Sequence, residues 1–525
     1  MNHEFDVLIL GSGLSGSSLA LCLQASGLRT CMVDAKVHPR FAIGESTIPN
    51  TSKLYKMMSI KYGAPELAAL SSFDNLIDRV GTCGMKNNFG FVYHDKHADP
   101  AKVHQFPLSQ IVETESHLYR ADVDRWLAYR ARDRGSALFE GVPTRAIEVN
   151  ADGVFFEGVD GTRISAQYVV DASGRNSQLA ANYGLRTTEG LRTKSKSVFT
   201  HMSGVVPFDD VTDIRGPKQW HTGTLHHVFD GGWMWVIPFD NNEQSTNPLC
   251  SVGICWRIDD GDEKPLPNPE QAFAGFLADH PDVARQFEHA RSEMDWVSAG
   301  RLQYTATQTV GERWCLTSNA AGFIDPLFSR GMQNTAVVVD RLAERLLNRF
   351  EGGFVPETFE DIDVLQKGLI AENDFLVSGA FRSFTDFELW NAWFRVWQVN
   401  QVTGTMRTEH HLRTVAAASP GARISAPATG IDGFIDAFYQ RADQIIESFW
   451  NRETEVDTAV REFRKLFADV DFMPPSFGLT DMSQPFFDID SEKVAEAVAW
   501  ARTARPGIRE LYLGGLPSDP DPRAG

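Results

Sequence analysis

The stretch Phe5-Asp6-Val7-Leu8-Ile9-Leu10-Gly11-Ser12-Gly13-Leu14-Ser15-Gly16-Ser17-Ser18-Leu19-Ala20 leaves this chain few options. A short apolar run dense in Val, Leu and Ile reads as a parallel strand buried on both faces. It passes directly into Gly-x-Gly-x-x-Gly and then into an apolar-periodic helix ending near Gly27. A second apolar strand, Thr30-Cys31-Met32-Val33, stops at Asp34. That order is a βαβ opening for a dinucleotide. Gly11 permits the tight turn, Gly13 lets backbone approach a pyrophosphate, Gly16 lets helix and strand pack closely, and Asp34 offers its carboxylate to a ribose hydroxyl. Leu14 and Ser15 open the helix, whose free N–H groups and dipole favour the anion.

A chain of 525 residues is one large enzyme or two to three domains. Its net charge of −19 argues against nucleic acid or an anionic membrane as partner. The opening Met1-Asn2-His3-Glu4 has no basic region, so no secretory signal is expected, and no long uncharged apolar span follows. Six cysteines show no C-x-x-C pair and no zinc spacing, which predicts buried thiols in a reducing cytoplasm and no metal site.

Downstream, Pro39-Arg40-Phe41-Ala42-Ile43-Gly44-Glu45-Ser46-Thr47-Ile48-Pro49 reads as a loop and residues 52–70 as a helix. Residues 81–91 have strand character with glycine breaks, and 121–134 read as a helix. Strand patterns over 144–169 carry the hairpin turns Asp152-Gly153 and Asp160-Gly161. The pattern from 195 to 310 is mostly β with a helical insert near 268–290, a helix is predicted over 332–349, and helices continue from about 355. The expected division is an α/β nucleotide module in two parts, 1–194 and 311–350, an inserted mainly β substrate-side sheet, 195–310, and a helical substrate-covering region, 351–525. No second Gly-x-Gly-x-x-Gly opens a strand–helix unit, which favours one tightly held flavin over a pair of dinucleotides.

Trp233-Met234-Trp235-Val236-Ile237-Pro238 carries a more specific signature. Trp-x-Trp-x-Ile-Pro after a flavin-type glycine loop resembles the flavin-dependent halogenases. Gly44-Glu45-Ser46-Thr47, Phe199-Thr200-His201-Met202, Leu225-His226-His227-Val228-Phe229, Phe323-Ile324-Asp325-Pro326-Leu327-Phe328-Ser329-Arg330-Gly331 and Asp471-Phe472-Met473-Pro474-Pro475 are similar to the phenol-modifying branch, that of the chlortetracycline-pathway and phloroglucinol halogenases. The resemblance implies a Rossmann-like, glutathione-reductase-type FAD-binding module. It also implies an enzyme that uses FADH2, O2 and chloride or bromide to make hypohalous acid, and a lysine that directs the oxidant onto an electron-rich ring.

Lys86, in Gly84-Met85-Lys86-Asn87-Asn88-Phe89, matches the family lysine. Its ammonium would polarise the halogen–oxygen bond, or its amine would form a haloamine; burial lowers a lysine pKa and keeps either route open. Trp233 and Trp235, two apart on a strand, share one face and with Pro238 would wall flavin from substrate. Asp325 is expected to face the flavin, with the Ser329-Arg330-Gly331 turn offering N–H groups to a halide. Arg40, Gly44, Glu45, Ser46 and Arg120 complete the expected cofactor set, Arg120 being equally readable as a surface charge at a helix start. Tryptophan halogenases carry a glutamate just before this serine; here Phe328 stands instead, which points to a hydroxylated ring that needs less activation. The aromatic stripe Phe384, Phe387, Trp390, Phe394, Trp397 reads first as core and in part as pocket lining.

A separate NAD(P)H:flavin reductase is implied as partner. The substrate is expected to be a phenolic small molecule, such as an aromatic polyketide, either free or carrier-tethered. Oligomeric state stays open between monomer and homodimer. The alternative enzyme is an FAD-dependent aromatic hydroxylase, which shares the glycine loop but gives no reason for Lys86 with Trp233-x-Trp235; a non-catalytic flavin-binding protein is the third class.

Overall fold

The computed structural model describes residues 2–24, 27–107, 113–259, 261–348, 353–418 and 432–516. The opening strand, Asn2–Leu10, lies at the centre of a parallel sheet. Thr30–Asp34 pairs on one side and Arg163–Asp171 on the other, with Ala137–Glu140 and Trp314–Leu316 beyond them. Val7 and Ile9 pack into one core cluster, Leu8 and Leu10 into another, so both faces of the strand are covered. The glycine loop leaves the carboxyl end of this central strand, where open α/β sheets bind ligands. The module closes only when the chain returns after the strand Trp314–Leu316: Ser15 Oγ lies 3.1 Å from Thr317 Oγ1.

A second sheet follows the spatial order Ala98–Pro107, Asn88–His94, Thr224–Phe229, Gly232–Pro238, Leu249–Arg257, Ser195–Ser203. It therefore draws two strands from residues 88–107, a segment the sequence pattern assigned to the first module. Asn88–His94 runs parallel to Thr224–Phe229, and a parallel pairing between distant segments has no local turn to announce it. A separate two-stranded pair, Gly84–Lys86 with Glu115–His117, sits beside this sheet.

Most predicted elements fall where the pattern placed them, including the helix Arg120–Asp133, the hairpins of Thr144–Asn150, Gly153–Gly158 and Arg163–Asp171, and the helix Gly331–Leu347. The helix expected over 52–70 is divided into Pro49–Lys61 and a tighter turn, Pro65–Ser71. Gly63, at φ 60°, ends the first part and Pro65, which lacks an N–H, opens the second.

The C-terminal helices Glu360–Ser383 and Phe387–Ala417 meet at a sharp corner, where the Asp386 carboxylate accepts from the N–H groups of Glu388 and Leu389 at 2.8 and 3.2 Å. One hydrophobic cluster joins these helices to the face of the second sheet that carries Phe89, Phe91, Trp233 and Trp235. Phe384, Trp390, Phe394 and Trp397 are buried within it and Phe387 packs at its edge against Tyr93, so the aromatic stripe is core. Among the described residues no helix is long and apolar enough to cross a membrane.

Trp393 is the clearest anchor of the helical layer. Its indole N–H donates to Leu376 O at 2.8 Å, and the ring fills the space beside Gly379, where an added Cβ would lie 2.0 Å from it. Trp393→Ala is expected to cost about 3–5 kcal/mol through the cavity it leaves, read as a lowered unfolding midpoint by calorimetry; a loss below about 1 kcal/mol would contradict this packing.

Candidate active site

The glycine loop is built for close approach. Gly11 has φ 96°, and a Cβ on Gly16 would lie 2.0 Å from Gly11 O, so no larger residue fits without moving the loop. Next to Gly13, whose Cβ position lies 3.1 Å from Arg40 Nη2, two guanidinium groups converge. Arg40 donates to Asp34 Oδ2 through Nη2 at 2.9 Å and Nε at 3.2 Å. Arg120 forks onto both oxygens of buried Asp124 at 2.8 and 3.0 Å and reaches the carbonyls of Ile43 and Gly44 at 2.9 and 3.0 Å. Arg120 is therefore no free surface charge; the Asp124 that holds it, four residues on, was legible as an i,i+4 pair. Burial works against an ionised Asp34, but Arg40 and the N–H groups of Ser12 and Lys36 outweigh it and hold the carboxyl below its ordinary range. An ionised acid, two cations and a cradle that a Cβ would fill together suit a diphosphate with its ribose. These residues fit FAD.

Glu45 and Ser46, expected on the cofactor, have protein partners for their side chains. Glu45 Oε1 lies 2.7 Å from His201 Nε2, and its main-chain oxygen accepts from Leu118 N–H at 2.6 Å. Ser46 bridges to His117 through its backbone and aims its hydroxyl at Lys86.

Lys86 is fully buried. Its Nζ donates to Ser46 Oγ at 2.8 Å and to Thr47 O at 2.7 Å, and sits 3.9 Å from the centre of the Phe89 ring. Burial drives its pKa well below the usual lysine value, opposed by Glu115, its partner in the two-stranded pair. Glu115 is itself buried, which raises its pKa, and Ser52 Oγ donates to it at 2.7 Å. Sequence reading missed Glu115, His117 and Thr224. The alternation of Glu115-Ser116-His117 in a short strand was the only available signal for the first two.

From Lys86 an aromatic wall leads inward. Phe89 contacts Trp397 with centroids 5.2 Å apart, and Trp397 stacks on Phe328 at 5.0 Å and 13°. Trp233 and Trp235 share one face as expected, their rings 5.6 Å apart, while Met234 and Val236 face the opposite cluster. Asp325, expected to reach the flavin, is engaged with protein donors. It accepts from Ser195 Oγ at 2.6 Å, Trp233 Nε1 at 3.2 Å and Leu327 N–H at 3.1 Å, and burial raises its pKa to about 6. Its place between strand and turn makes it the tie that holds Trp233. Beyond it, Ser329 at φ 54° turns the chain into the helix Gly331–Leu347, whose first N–H groups have no intrahelical partner. The Arg330 side chain is engaged by Asn400 Oδ1 at 2.7 Å and Glu372 Oε2 at 2.6 Å.

The central parallel strand, glycine cradle and paired guanidiniums define an FAD-binding oxidoreductase. The FAD binding domain family accordingly matches residues 4–338. The chain is 38% identical to tetracycline 7-halogenase of Kitasatospora aureofaciens over 527 residues, covering 97% of this chain and 95% of that one. It is 38% identical over 497 residues to monodechloroaminopyrrolnitrin halogenase PrnC of Pseudomonas fluorescens, with 91% and 87% covered. The crystal structure of halogenase PltM in complex with phloroglucinol and FAD superposes with a TM-score of 0.83 at 31% identity, covering 92% of this chain and 99% of that one. The chain belongs to the flavin-dependent halogenase family: it is an oxidoreductase that uses FADH2, halide and O2 to halogenate an aromatic substrate.

Two outcomes follow from this geometry. Gly16→Val is expected to abolish FAD retention through gel filtration, because the new side chain meets backbone rather than a flexible neighbour; retained flavin would contradict the cradle. Asp325 has a folded pKa of about 6, above the unfolded aspartate value near 3.9, so the folded state binds the extra proton between them. Stability of the parent protein therefore falls as pH rises from about 4 to about 6, by on the order of 3 kcal/mol. Asp325→Asn is expected to flatten that part of the stability–pH curve; an unchanged slope would contradict the assignment.

Proposed function

We propose that this chain halogenates a phenolic ring, of the aromatic polyketide class, with Lys86 as the residue that presents the oxidant. The observation that carries the proposal is Phe328 stacked on Trp397, with Phe89 continuing the wall to Lys86. An apolar ring stands where a carboxylate would be needed to activate an indole. A phenol already drives electron density to its ortho and para carbons, so an aromatic wall that packs the ring against Lys86 suffices. The kinship to tetracycline 7-halogenase and to a halogenase that takes phloroglucinol, a trihydroxybenzene, supports the same substrate class.

FAD would be held by Gly11, Gly13, Leu14, Ser15, Gly16, Asp34, Arg40, Gly44 and Arg120, and as FADH2 it supplies the reduction of O2 that converts halide to hypohalous acid. Backbone N–H groups of Arg330 and Gly331 would hold the halide at the helix start, the Ser329 N–H being already donated to Pro326 O at 3.0 Å. Trp233 and Trp235, fixed through Asp325 and Ser251, fill the sheet face and confine the oxidant. Lys86 Nζ, with two donors tied to Ser46 and Thr47, keeps its remaining position for the hypohalous acid and turns the halogen toward the ring. A separate NAD(P)H:flavin reductase would supply FADH2, since no second glycine loop offers nicotinamide a site. The module in two parts, the inserted sheet and the covering helices would act as the division of labour drawn from the sequence, with residues 88–107 joining the sheet. Six unpaired, buried thiols suit a reducing cytoplasm.

Lys86→Ala is expected to lower halogenated product by at least about 10²-fold, the scale of a lost acid–base group, while FAD is still retained and FADH2 still oxidised. Near-normal chlorination by that variant would overturn the assignment.

A further inference from the structure

Lys86 is one end of a buried chain of hydrogen bonds whose direction can be read without seeing a proton. His117 Nδ1 lies 2.8 Å from Pro238 O, an atom that only accepts, so Nδ1 carries the ring proton and Nε2 is the acceptor. Nε2 lies 2.9 Å from Thr224 Oγ1, so Thr224 donates to it. Thr224 Oγ1 then accepts from Ser46 Oγ at 2.9 Å, and Ser46 Oγ accepts from Lys86 Nζ at 2.8 Å. All four side chains are at most 5% exposed. The Pro238 that fixes the imidazole closes the Trp-x-Trp-x-Ile-Pro strand, and an added Cβ on Gly84 would lie 2.4 Å from its oxygen, so the strand end is packed in place.

Such a chain has two complete arrangements. In one, Lys86 is an ammonium and His117 is neutral. In the other, one proton has moved along each link: from Nζ to Ser46, from Ser46 to Thr224, and from Thr224 to His117 Nε2. Lys86 is then an amine accepting from Ser46, and His117 an imidazolium donating to Thr224 and to Pro238 O. The buried charge is the same in both, so the shift avoids the cost of moving a charge into or out of a dry interior.

We propose that His117 stores the proton of Lys86 through Thr224 and Ser46, letting the amine form during turnover and restoring the ammonium afterwards. The inference rests on the reading of Lys86 above. With the proton on His117, the Nζ lone pair leaves its hydrogen bond from Ser46 and attacks the halogen of hypohalous acid; the N–halogen bond forms, the halogen–oxygen bond breaks, and one amine proton leaves with hydroxide as water. Return of the stored proton to nitrogen makes the halogen a better leaving electrophile. The ring carbon then takes the halogen, the amine nitrogen keeps the N–halogen electron pair, and the proton displaced from the ring regenerates the ammonium. Both ring nitrogens of buried His117 are taken by Pro238 O and Thr224 Oγ1, so it acts as a positioning residue for the proton. At rest, burial and the neighbouring Lys86 charge hold its pKa down to about 3, which keeps the neutral, accepting form in place. The other groups facing the pair are Glu115, which favours charge on Lys86 and has Lys53 nearby, and His226 and His221, of which His226 stacks on both Phe89 and Phe91.

The test is halogenated product per FADH2 consumed, measured from pH 6 to pH 10 with a flavin reductase, O2, chloride and a phenol. His117→Gln keeps a donor for Pro238 O and an acceptor for Thr224 but cannot take a proton; Thr224→Val cuts the chain, and Thr224→Ser keeps it. The first two are expected to fall at least about tenfold near pH 7 and to recover as rising pH strips Lys86 directly, whereas Thr224→Ser follows the parent protein. Wild-type yield and pH profile in His117→Gln would overturn the proposal, as would a loss that is uniform across pH. Lys86→Ala run alongside separates the two readings: activity there sinks the role of Lys86 itself, while a dead Lys86→Ala with an unaltered His117→Gln sinks only the proton store.

Discussion

A single lysine amino group taken out of water organises this molecule. Lys86 has no exposed surface, and an unpaired charge in such a place would cost several kcal/mol. The fold meets that cost from four directions. Ser46 and Thr47 arrive from the loop after the nucleotide strands, Phe89 from the second sheet, Glu115 from the opposed short strand, and Thr224 with His117 extend the polar contact to Pro238. These segments lie far apart in sequence, so the site exists only when the nucleotide module and the second sheet are docked together.

That docking explains why the aromatic content is concentrated where it is. The sheet face bearing Phe89, Phe91, Trp233 and Trp235 would be a large apolar surface if left bare, and the helices Glu360–Ser383 and Phe387–Ala417 cover it, with Trp390, Phe394 and Trp397 against Phe91. The same packing gives Lys86 a dry surrounding and gives a ring something to stack against. Asp325 shows what such a layer costs: its carboxyl is buried far enough to raise its pKa, and it is retained as the tie between Trp233 and the turn that begins the helix Gly331–Leu347.

Much of this was legible in the sequence because it rests on local rules. The glycine loop, the strand on either side of it, Asp34 and the shared face of Trp233 and Trp235 follow from spacing alone, and Lys86 from motif resemblance. What stayed hidden depends on register between distant strands. Nothing near residue 88 announces pairing with residues 224–229, and that pairing carries Thr224 to Ser46 and His117. Ser46 and Asp325, each read from the motif it borders, have their side chains engaged by protein partners. A motif gives a residue's neighbourhood, but the direction of its side chain is set by the partner that burial brings to it, here Lys86 and Trp233.

What leaves the site when all reactants are supplied decides the reaction class. The direct measurement is a product mass spectrum from the protein with a flavin reductase, O2, chloride and equal amounts of a polyhydroxylated benzene and tryptophan. A wall of Phe328, Trp397 and Phe89 that ends at Lys86 predicts a chlorine isotope pattern on the phenolic product and unchanged tryptophan. Chlorinated tryptophan in comparable yield, or a phenolic product heavier by one oxygen and free of chlorine, would contradict it.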